Sequence, residues 1–325
     1  PPRSTLFPYT TLFRSERMTR AEIIDIFKNT CSNGHLTMVK WLYETFQITP
    51  EETSNNFVFH LSCINGHLAI AKWLHTTLLI TSEEAKIENN KAFRISCAYG
   101  HLDVSKWLYE TFGATSEEIK SHDNQILQLS CTCGHLDVAQ WLHETFQMTD
   151  EDVKIRDNYI FRESCSLGHL EVAKWLYSTF HISIEEVKTE DNEVFRWCCG
   201  HGHLKVIQWL YNNFNITPEE ARTLGNHAFM WSCGNGHLEV AQWLYQTFQI
   251  TAEEAKTYDC HVFRQCCGSG YIEIVKWLHN TFHFTLEEAK SNNNEAFQNS
   301  CVNGHLDIAQ WLHQNFHIMP EEVAL

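Results

Sequence analysis

Cysteine and histidine residues recur along the chain at a spacing that could support metal or thiol chemistry. The 325 residues include 13 Cys, 20 His and 11 Trp, and the pattern Cys-x-x-x-His occurs eight times, for example at Cys97 and His101. Thiolate and imidazole are ligands that Zn²⁺ prefers, and a Cys beside a base is the arrangement of a catalytic nucleophile. Both kinds of chemistry need side chains that converge on one point, so the elements that carry these residues decide between them.

The same residues belong to an internal repeat. A Gly stands three positions after each of nine Cys, at Gly34, Gly66, Gly100, Gly134, Gly168, Gly202, Gly236, Gly270 and Gly304. The first interval is slightly shorter than the others, which are all equal. A Trp follows each of these Gly by seven positions, at Trp41, Trp73, Trp107, Trp141, Trp175, Trp209, Trp243, Trp277 and Trp311. Nine copies in one phase indicate an array of a single repeated unit, so most of the Trp and Cys residues are positions of that unit.

Each copy predicts two helices joined by a Gly-His turn. In the unit that begins at Asn90, a short apolar-periodic segment from Lys91 to Cys97 ends at Gly100, which is typical of a helix terminus. A second helix is predicted from about His101 to Phe112, because its apolar residues recur at i, i+3 and i+4. Neither helix could bury its apolar face alone, so the units must stack.

A third signal predicts a capped turn between units. Thr217, Pro218 and Glu220 have the spacing of a capping box with Pro in the first helical position. Equivalent boxes begin at Thr49, Thr81, Thr115, Thr251 and Thr285. They predict a short third helix of one to two turns, followed by an Asn-rich turn in the left-handed conformation that Asn tolerates.

The string from Phe93 to Leu108 resembles the helix-turn-helix half of an ankyrin repeat. Phe93 stands where that family has Leu, Ser96 and Cys97 match its small Ala pair, and Gly100-His101 matches its turn. The resemblance covers roughly residues 21–325, and the chain looks like the divergent ankyrin arrays of large DNA viruses that infect amoebae. It implies an all-α, ankyrin-like helical repeat solenoid of nine units, each of about 34 residues.

The chain departs from the ankyrin pattern in two places. The opening Thr-Pro-Leu-His and the Gly-Ala-Asp hairpin tip are absent, so we expect the short third helix in place of the usual β-hairpin finger. The repeat length also suits a tetratricopeptide array, but the Trp-x-x-Leu-Gly-x-x-Tyr spacing of that family is missing.

The repeat weakens the metal and thiol hypotheses. One Cys and one His per layer, with layers about 10 Å apart, leave each pair short of the three or four ligands that a metal needs. Neighbouring layers are also too far apart for disulfides. An odd number of Cys in buried positions indicates a reduced, cytoplasmic protein. We therefore expect no enzyme activity, no cofactor and no metal.

Charge limits the class of partner. The net charge is −16, which disfavours nucleic acid, and no run of 18 apolar residues exists for a membrane. Acidic pairs such as Glu219-Glu220 recur in one phase of the repeat, with Arg222 or a Lys two positions later partly offsetting them. Their stripe either stabilises helix N-termini or binds a basic partner protein. We expect the chain to be monomeric.

Residues that vary within the fixed pattern are the candidates for binding. The position two before the repeat Cys is variable, at Leu61, Ile95, Leu129, Glu163, Trp197, Trp231, Gln265 and Asn299. In the resembling family such positions face the concave groove that contacts partner proteins. The hypothesis of a partner-binding patch names Tyr99, Arg196, Trp197, His201, Met230, Trp231 and Gln265. The alternative is local variation of the core.

The two ends of the chain differ from the repeats. Residues 1–17 lack a helical period and look like a translated sequencing adapter, a non-native and disordered leader, with a targeting peptide as the alternative. Residues 18–325 are expected to form a single array that is truncated at its C-terminus. The predicted function is a protein–protein interaction scaffold. The alternative is the recruitment array of a larger enzyme or ubiquitin-recruiting protein whose other domain lies outside this chain.

Overall fold

The computed structural model describes residues 18–53 and 56–318, and all regular elements in these residues are α-helices. The prediction of an all-α repeat array is therefore confirmed, and the described residues contain no β-hairpin finger. The chain divides into two compact units. Unit 1 contains described residues up to 130 together with 137–146, and unit 2 contains 131–136 and 147–318. The expected leader, residues 1–17, lies outside the described residues, as does the last acidic pair.

The helices of the first four repeats lie wholly or mainly in unit 1. They are α1 (Arg20–Ser32), α2 (Leu36–Phe46), α3 (Phe57–Ile64), α4 (Leu68–Leu78), α5 (Ser82–Ala85), α6 (Ile87–Ala98), α7 (Leu102–Phe112), α8 (Ser116–Thr132) and α9 (Leu136–Phe146). Of these, α8 and α9 include residues of both units.

The remaining five repeats lie in unit 2. Their helices are α10 (Asp150–Val153), α11 (Ile155–Ser166), α12 (Leu170–Thr179), α13 (Ile184–Val187), α14 (Thr189–His201), α15 (Leu204–Phe214), α16 (Pro218–Ala221), α17 (Thr223–Gly234), α18 (Leu238–Phe248), α19 (Ala252–Ala255), α20 (Thr257–Ser269), α21 (Ile272–Phe282), α22 (Leu286–Ala289), α23 (Ser291–Val302) and α24 (Leu306–Phe316). The described residues thus hold nine helix pairs, and a capped turn follows most of them.

The second helix of each pair follows its predicted bounds. Helix α7 spans Leu102–Phe112, with Val104 and Leu108 buried and the charged side chains outside. Gly100, in the turn before it, has a φ of 78°, which an L side chain rarely adopts. The apolar period and the helix-terminating Gly therefore placed this element correctly.

Among the described residues, six of the capped turns are separate helices of four residues, whereas the box at Thr115 begins the longer helix α8. In α16 the Thr217 hydroxyl accepts a bond from the Glu220 N–H, and the Glu220 carboxylate accepts one from the Thr217 N–H at 2.8 Å. Two boxes that the sequence pattern missed use Asp152 with Thr149 and Glu186 with Ser183, because Asp and Ser can substitute in this role.

One predicted third helix is wrong. At the first box the Thr49 N–H donates to Glu52 at 2.9 Å, as expected, but residues 50–53 form a turn and not a helix. The carboxylate satisfies the N-cap N–H without a helix following it, so the box alone does not establish a helical turn there.

The Asn-rich turn is left-handed, as predicted. In α11, the three consecutive residues Arg156, Asp157 and Asn158 have φ values between 50° and 57°, so the helix is interrupted near its start. The last residue of this turn is Asn at Asn90, Asn124, Asn158, Asn192, Asn226 and Asn294. In the eighth repeat Cys260 takes the same conformation. Asn tolerates this region best, which explains its recurrence.

Aromatic side chains fill the space between successive repeats. Trp209 packs edge-on against Phe214 of its own repeat, with ring centroids 5.3 Å apart, and against Tyr177 of the preceding repeat, at 6.1 Å. Eight of the nine repeat Cys are buried, Cys165 and Cys199 completely, and Cys301 is exposed. The Trp and Cys excess is therefore mainly a packing pattern.

Candidate protein-binding surface

The repeat His connects one repeat to the repeat before it. The His237 ring covers Gly202, where an added Cβ would lie 2.7 Å from the ring Cε1. The Nε2 of His169 lies 2.9 Å from the carbonyl oxygen of Thr132, the residue after the preceding repeat's Cys. The Nε2 atoms of His67 and His305 make equivalent bonds to Ser32 and Gly268. These rings therefore act as inter-repeat donors, and the described residues contain no group of three His, Cys, Asp or Glu side chains that could hold a metal.

The buried thiols lack the features of nucleophiles. All 13 Cys are free, and 11 of them are buried. Burial raises the pKa of Cys31 to about 12 and raises the pKa of Cys199 well above its usual range, with the neighbouring Cys198 contributing. A reactive Cys needs a lowered pKa and access. Only Cys133 and Cys301 are exposed.

The acidic pairs separate into two kinds of residue. The second member of a pair is half-buried and bonded to the preceding repeat: Glu220 accepts from Lys188 Nζ at 2.9 Å. Equivalent pairs join Arg20–Glu52, Lys86–Glu118, Lys154–Glu186, Arg222–Glu254 and Lys256–Glu288. The first member, such as Glu219, is exposed. The basic residues therefore neutralise the next repeat's carboxylate, and the first acidic side chain of each described pair remains at the surface.

A groove of about 490 Å³ crosses the first helices of four successive repeats in unit 2, α11, α14, α17 and α20. At one end the walls are formed by Glu163 of α11 and by Leu167 in the turn after it. The walls continue with Trp197 and His201 of α14, then Trp231 of α17 and Gln265 of α20. Glu163, Trp197, Trp231 and Gln265 occupy the same repeat position, two before the repeat Cys. Stacking of equivalent helices therefore aligns them along one line.

Gly residues in the groove helices leave space for bulky side chains of the next repeat. Gly200 lies against Trp231 and Gly234 lies against Gln265, so that each Gly faces a bulky side chain of the next repeat. The Trp231 indole also packs against His227, with ring centroids 4.1 Å apart. The Asn235 side chain donates to the Gly200 carbonyl at 2.8 Å. These contacts fix Trp231 within the groove wall.

The structure brings four of the predicted contact residues together. Trp197, His201, Trp231 and Gln265 all line the groove. Both Trp side chains are half-buried, so each keeps an accessible surface. The sequence indicated this cluster because Trp197 and Trp231 occupy the same position in adjacent repeats.

The other three predicted residues lie elsewhere. Arg196 corrects the sequence hypothesis: it is only 7% exposed, and its guanidinium donates to the carbonyls of Glu190 and Asp191. These bonds hold it against the left-handed turn, so it offers little surface to a partner protein. Met230 is half-buried and does not line the groove, and Tyr99 is an exposed residue of unit 1 that packs against His101.

The main residue that the predicted set omitted is Glu163. It occupies the variable position of the repeat before Trp197, so the repeat phase alone would have placed it in the groove. Leu167 and Asn235, which lie between the repeat Cys and Gly, were omitted in the same way.

Residues 160–254 match the family model described as Ankyrin repeats (3 copies). The matched stretch contains Glu163, Trp197 and Trp231, and Gln265 lies just beyond it. Ankyrin repeats are generally protein–protein interaction modules. No curated protein matched the chain. Among the described residues, no helix is both long enough and apolar enough to cross a membrane.

Proposed function

We propose that this chain is a non-catalytic binding protein and that the groove of unit 2 contacts its partner protein. The observation that supports the proposal is the alignment of Trp197 and Trp231 in adjacent ankyrin repeats, where both indoles line one groove. Trp is among the residues most enriched at the energetic centres of interfaces. Repeat Trp residues such as Trp209, by contrast, belong to the packing between repeats.

The contrast between Trp231 and Trp209 supports this division of roles. Trp209 contacts aromatic rings of its own and the preceding repeat, as its position in the repeat requires. Trp231 is additional to the repeat pattern, and its indole lies against Gly200, where an added Cβ would be a tight contact. A large side chain at a position where the fold itself needs none is expected to act outside the fold.

The chain is proposed to act as a monomer in the cytoplasm. The support is that 11 thiols are buried and all 13 are free, which suits a reducing compartment. Burial also keeps these thiols protonated, which fits a role in binding without catalysis.

The test compares partner capture by the intact chain and by the Trp197→Ala/Trp231→Ala variant. Proteins recovered in a quantitative pull-down are purified, and their affinity is measured by calorimetry. At least one partner is expected to lose affinity by about 30-fold, since truncating an interface centre costs about 2 kcal/mol. Trp41→Ala is the matched control, because Trp41 is 52% exposed and lies outside the groove.

Circular dichroism and urea unfolding establish that the variants remain folded. If the double variant binds every partner with the affinity of the intact chain, the groove is not the contact site.

A further inference from the structure

One end of the groove combines a carboxylate with an indole. Glu163 and Trp197 occupy the same position of adjacent repeats, on α11 and α14, and both line the groove. Within the part of the chain that the structure describes, the Glu163 side chain makes no hydrogen bond or ion pair. We call this pair of side chains the Glu163–Trp197 end.

The two Arg residues that directly precede Glu163 and Trp197 in the sequence are already bonded elsewhere. Arg162, the residue before Glu163, pairs with Glu193 at 3.0 Å. Arg196, the residue before Trp197, is buried and donates to two backbone carbonyls. The described lining of the groove contains no Lys or Arg. The Glu163 charge is therefore not neutralised by the chain itself.

The chemistry of this end selects a cation. A Lys ammonium or an Arg guanidinium is attracted to the face of an indole, and Trp is the best of the aromatic residues for this contact. A carboxylate beside the ring adds a charge-assisted hydrogen bond. An apolar side chain at this end would desolvate Glu163 without pairing it, and an acidic one would be repelled.

We propose that the Glu163–Trp197 end binds the side chain of an Arg or Lys in a basic segment of the partner protein. This inference rests on the proposed function, since it names the chemistry of the partner at the same groove. Trp231 and Gln265 continue the groove beyond Trp197 and contact the residues that follow in the segment.

The charge of the chain favours the same kind of partner. The net charge is −16. In unit 2 the exposed members of the acidic pairs are Glu151, Glu185, Glu219, Glu253 and Glu287. Their field increases the rate at which a basic segment encounters the chain, and this effect falls as salt is added.

The test adds short peptides to the full chain and follows the NMR signals of its indole N–H groups. Peptides of the sequence acetyl-Gly-Ser-X-Ser-Gly-amide carry Arg, Lys, citrulline or norleucine at X. Citrulline has the shape of Arg without its charge. The Trp197 and Trp231 signals are assigned with Trp→Phe variants. The Arg and Lys peptides are expected to shift the Trp197 signal until it saturates, which gives a dissociation constant. The neutral peptides are not expected to shift it.

Glu163→Gln separates charge from shape. It is expected to weaken binding of the Arg peptide by about fivefold, equivalent to about 1 kcal/mol. Glu171→Gln is the matched control: Glu171 is an exposed carboxylate on α12 paired with Lys174, and its removal is expected to leave the affinity unchanged. Equal binding of the citrulline and Arg peptides, or unchanged affinity of Glu163→Gln, would overturn the inference.

The two proposals fail differently. If a partner protein needs Trp197 and Trp231 but the Arg peptide binds no better than the citrulline peptide, the groove is a binding site that does not select a cation. If no partner depends on the two Trp residues, the proposed function itself is wrong.

Discussion

Gly200 lies directly against the indole of Trp231, so closely that a Cβ added to Gly200 would be 3.1 Å from the ring Cε3. The two residues are in adjacent repeats, in α14 and α17. Gly inside a helix normally reduces stability. The contact explains why this helix nevertheless contains one: the groove Trp occupies the space of the missing side chain.

This relationship predicts a change of sign in a double-mutant cycle. Gly200→Ala alone is expected to destabilise the chain by about 1–2 kcal/mol, because overpacking outweighs the gain in helix propensity. In the Trp231→Ala background the same change is expected to stabilise it by about 1 kcal/mol. Urea unfolding of the four proteins measures both values, and the same sign in both backgrounds would contradict the packing argument.

The Gly-His turns predict unequal costs for one substitution. Gly202 and Gly304 have φ values of 82° and 79°, but a Cβ at Gly202 would meet the His237 ring, whereas a Cβ at Gly304 meets no atom within 4 Å among the described residues. Gly304→Ala is expected to cost about 1–2 kcal/mol for the left-handed backbone alone. Gly202→Ala is expected to cost about 1–3 kcal/mol more. Equal costs in urea unfolding would show that the His ring moves aside freely.

The repeat His residues that bond to the preceding repeat predict a loss of stability in mild acid. Burial is the largest cause that lowers the pKa of His203, followed by the charges of His201, His237 and His169. The pKa of His237 is also lowered, first by burial. The folded chain then binds fewer protons than the unfolded chain, so this stability is present above about pH 6.5 and is lost as the pH falls below it.

A natural replacement in the chain provides the matched variant. Tyr271 takes the place of His in the eighth repeat and covers Gly236 in the same way. His237→Tyr is therefore expected to keep the contact and to reduce the loss of stability between pH 7.5 and pH 5.5. Identical losses in the intact chain and the variant would exclude His237 as a source of the acid sensitivity.

The two members of an acidic pair are expected to respond differently to neutralisation. Glu220→Gln removes the ion pair with Lys188 and weakens the bond to the Thr217 N–H, which is expected to cost about 1 kcal/mol at pH 7. Glu219→Gln, its exposed neighbour, is expected to change the stability by less than about 0.5 kcal/mol. Similar values for the two variants would show that the ion pairs between successive repeats do not stabilise the chain.

The ion pair between Lys188 and Glu220 also predicts how the stability changes in acid. Burial acts to raise the pKa of Glu220, but the bonds from Thr217, Lys188 and Asn192 outweigh it, so the pKa is lowered. The stabilisation by Glu220 is therefore present above its unfolded pKa and is lost as the pH falls through the lower folded value. The difference in stability between the intact chain and Glu220→Gln is expected to shrink below about pH 4.

Thiol labelling tests the interpretation of the cysteines. Cys133 and Cys301 are exposed and the other 11 Cys are buried, so two thiols of the native chain are expected to react rapidly with an aromatic disulfide reagent at pH 8. All 13 are expected to react after unfolding. The Cys133→Ser/Cys301→Ser variant is expected to lose the rapid phase, and a rapid phase that survives would reveal an accessible thiol among the buried set.

Much of the fold followed from patterns within one repeat. The apolar period of α7, the terminating Gly100 and the left-handed Asn turns depend on residues close in sequence, and all three predictions are confirmed. The box at Thr49 was misassigned because its hydrogen bond forms in a turn as well as in a helix. Whether such a box begins a helix depends on the residues that follow it.

The candidate site followed from the sequence only in part. The repeat phase placed Trp197 and Trp231 together, but it did not reveal that Arg196 folds back onto the carbonyls of its own turn. The predicted set also omitted Glu163, which had the right repeat phase but no unusual residue type to mark it. Neighbouring positions on a helix point in different directions, and the side-chain direction is set by packing.

The sequence by itself determined the repeated unit, its helices and turns, and the positions that differ between copies. Tertiary structure decided which residues of one repeat meet those of the next: His237 with Gly202, Lys188 with Glu220, and Trp231 with Gly200. The members of each pair lie about one repeat apart in the sequence. Local periodicity carries the conformation of each unit, but such contacts exist only once the units stack, because their geometry depends on how one helix packs against another.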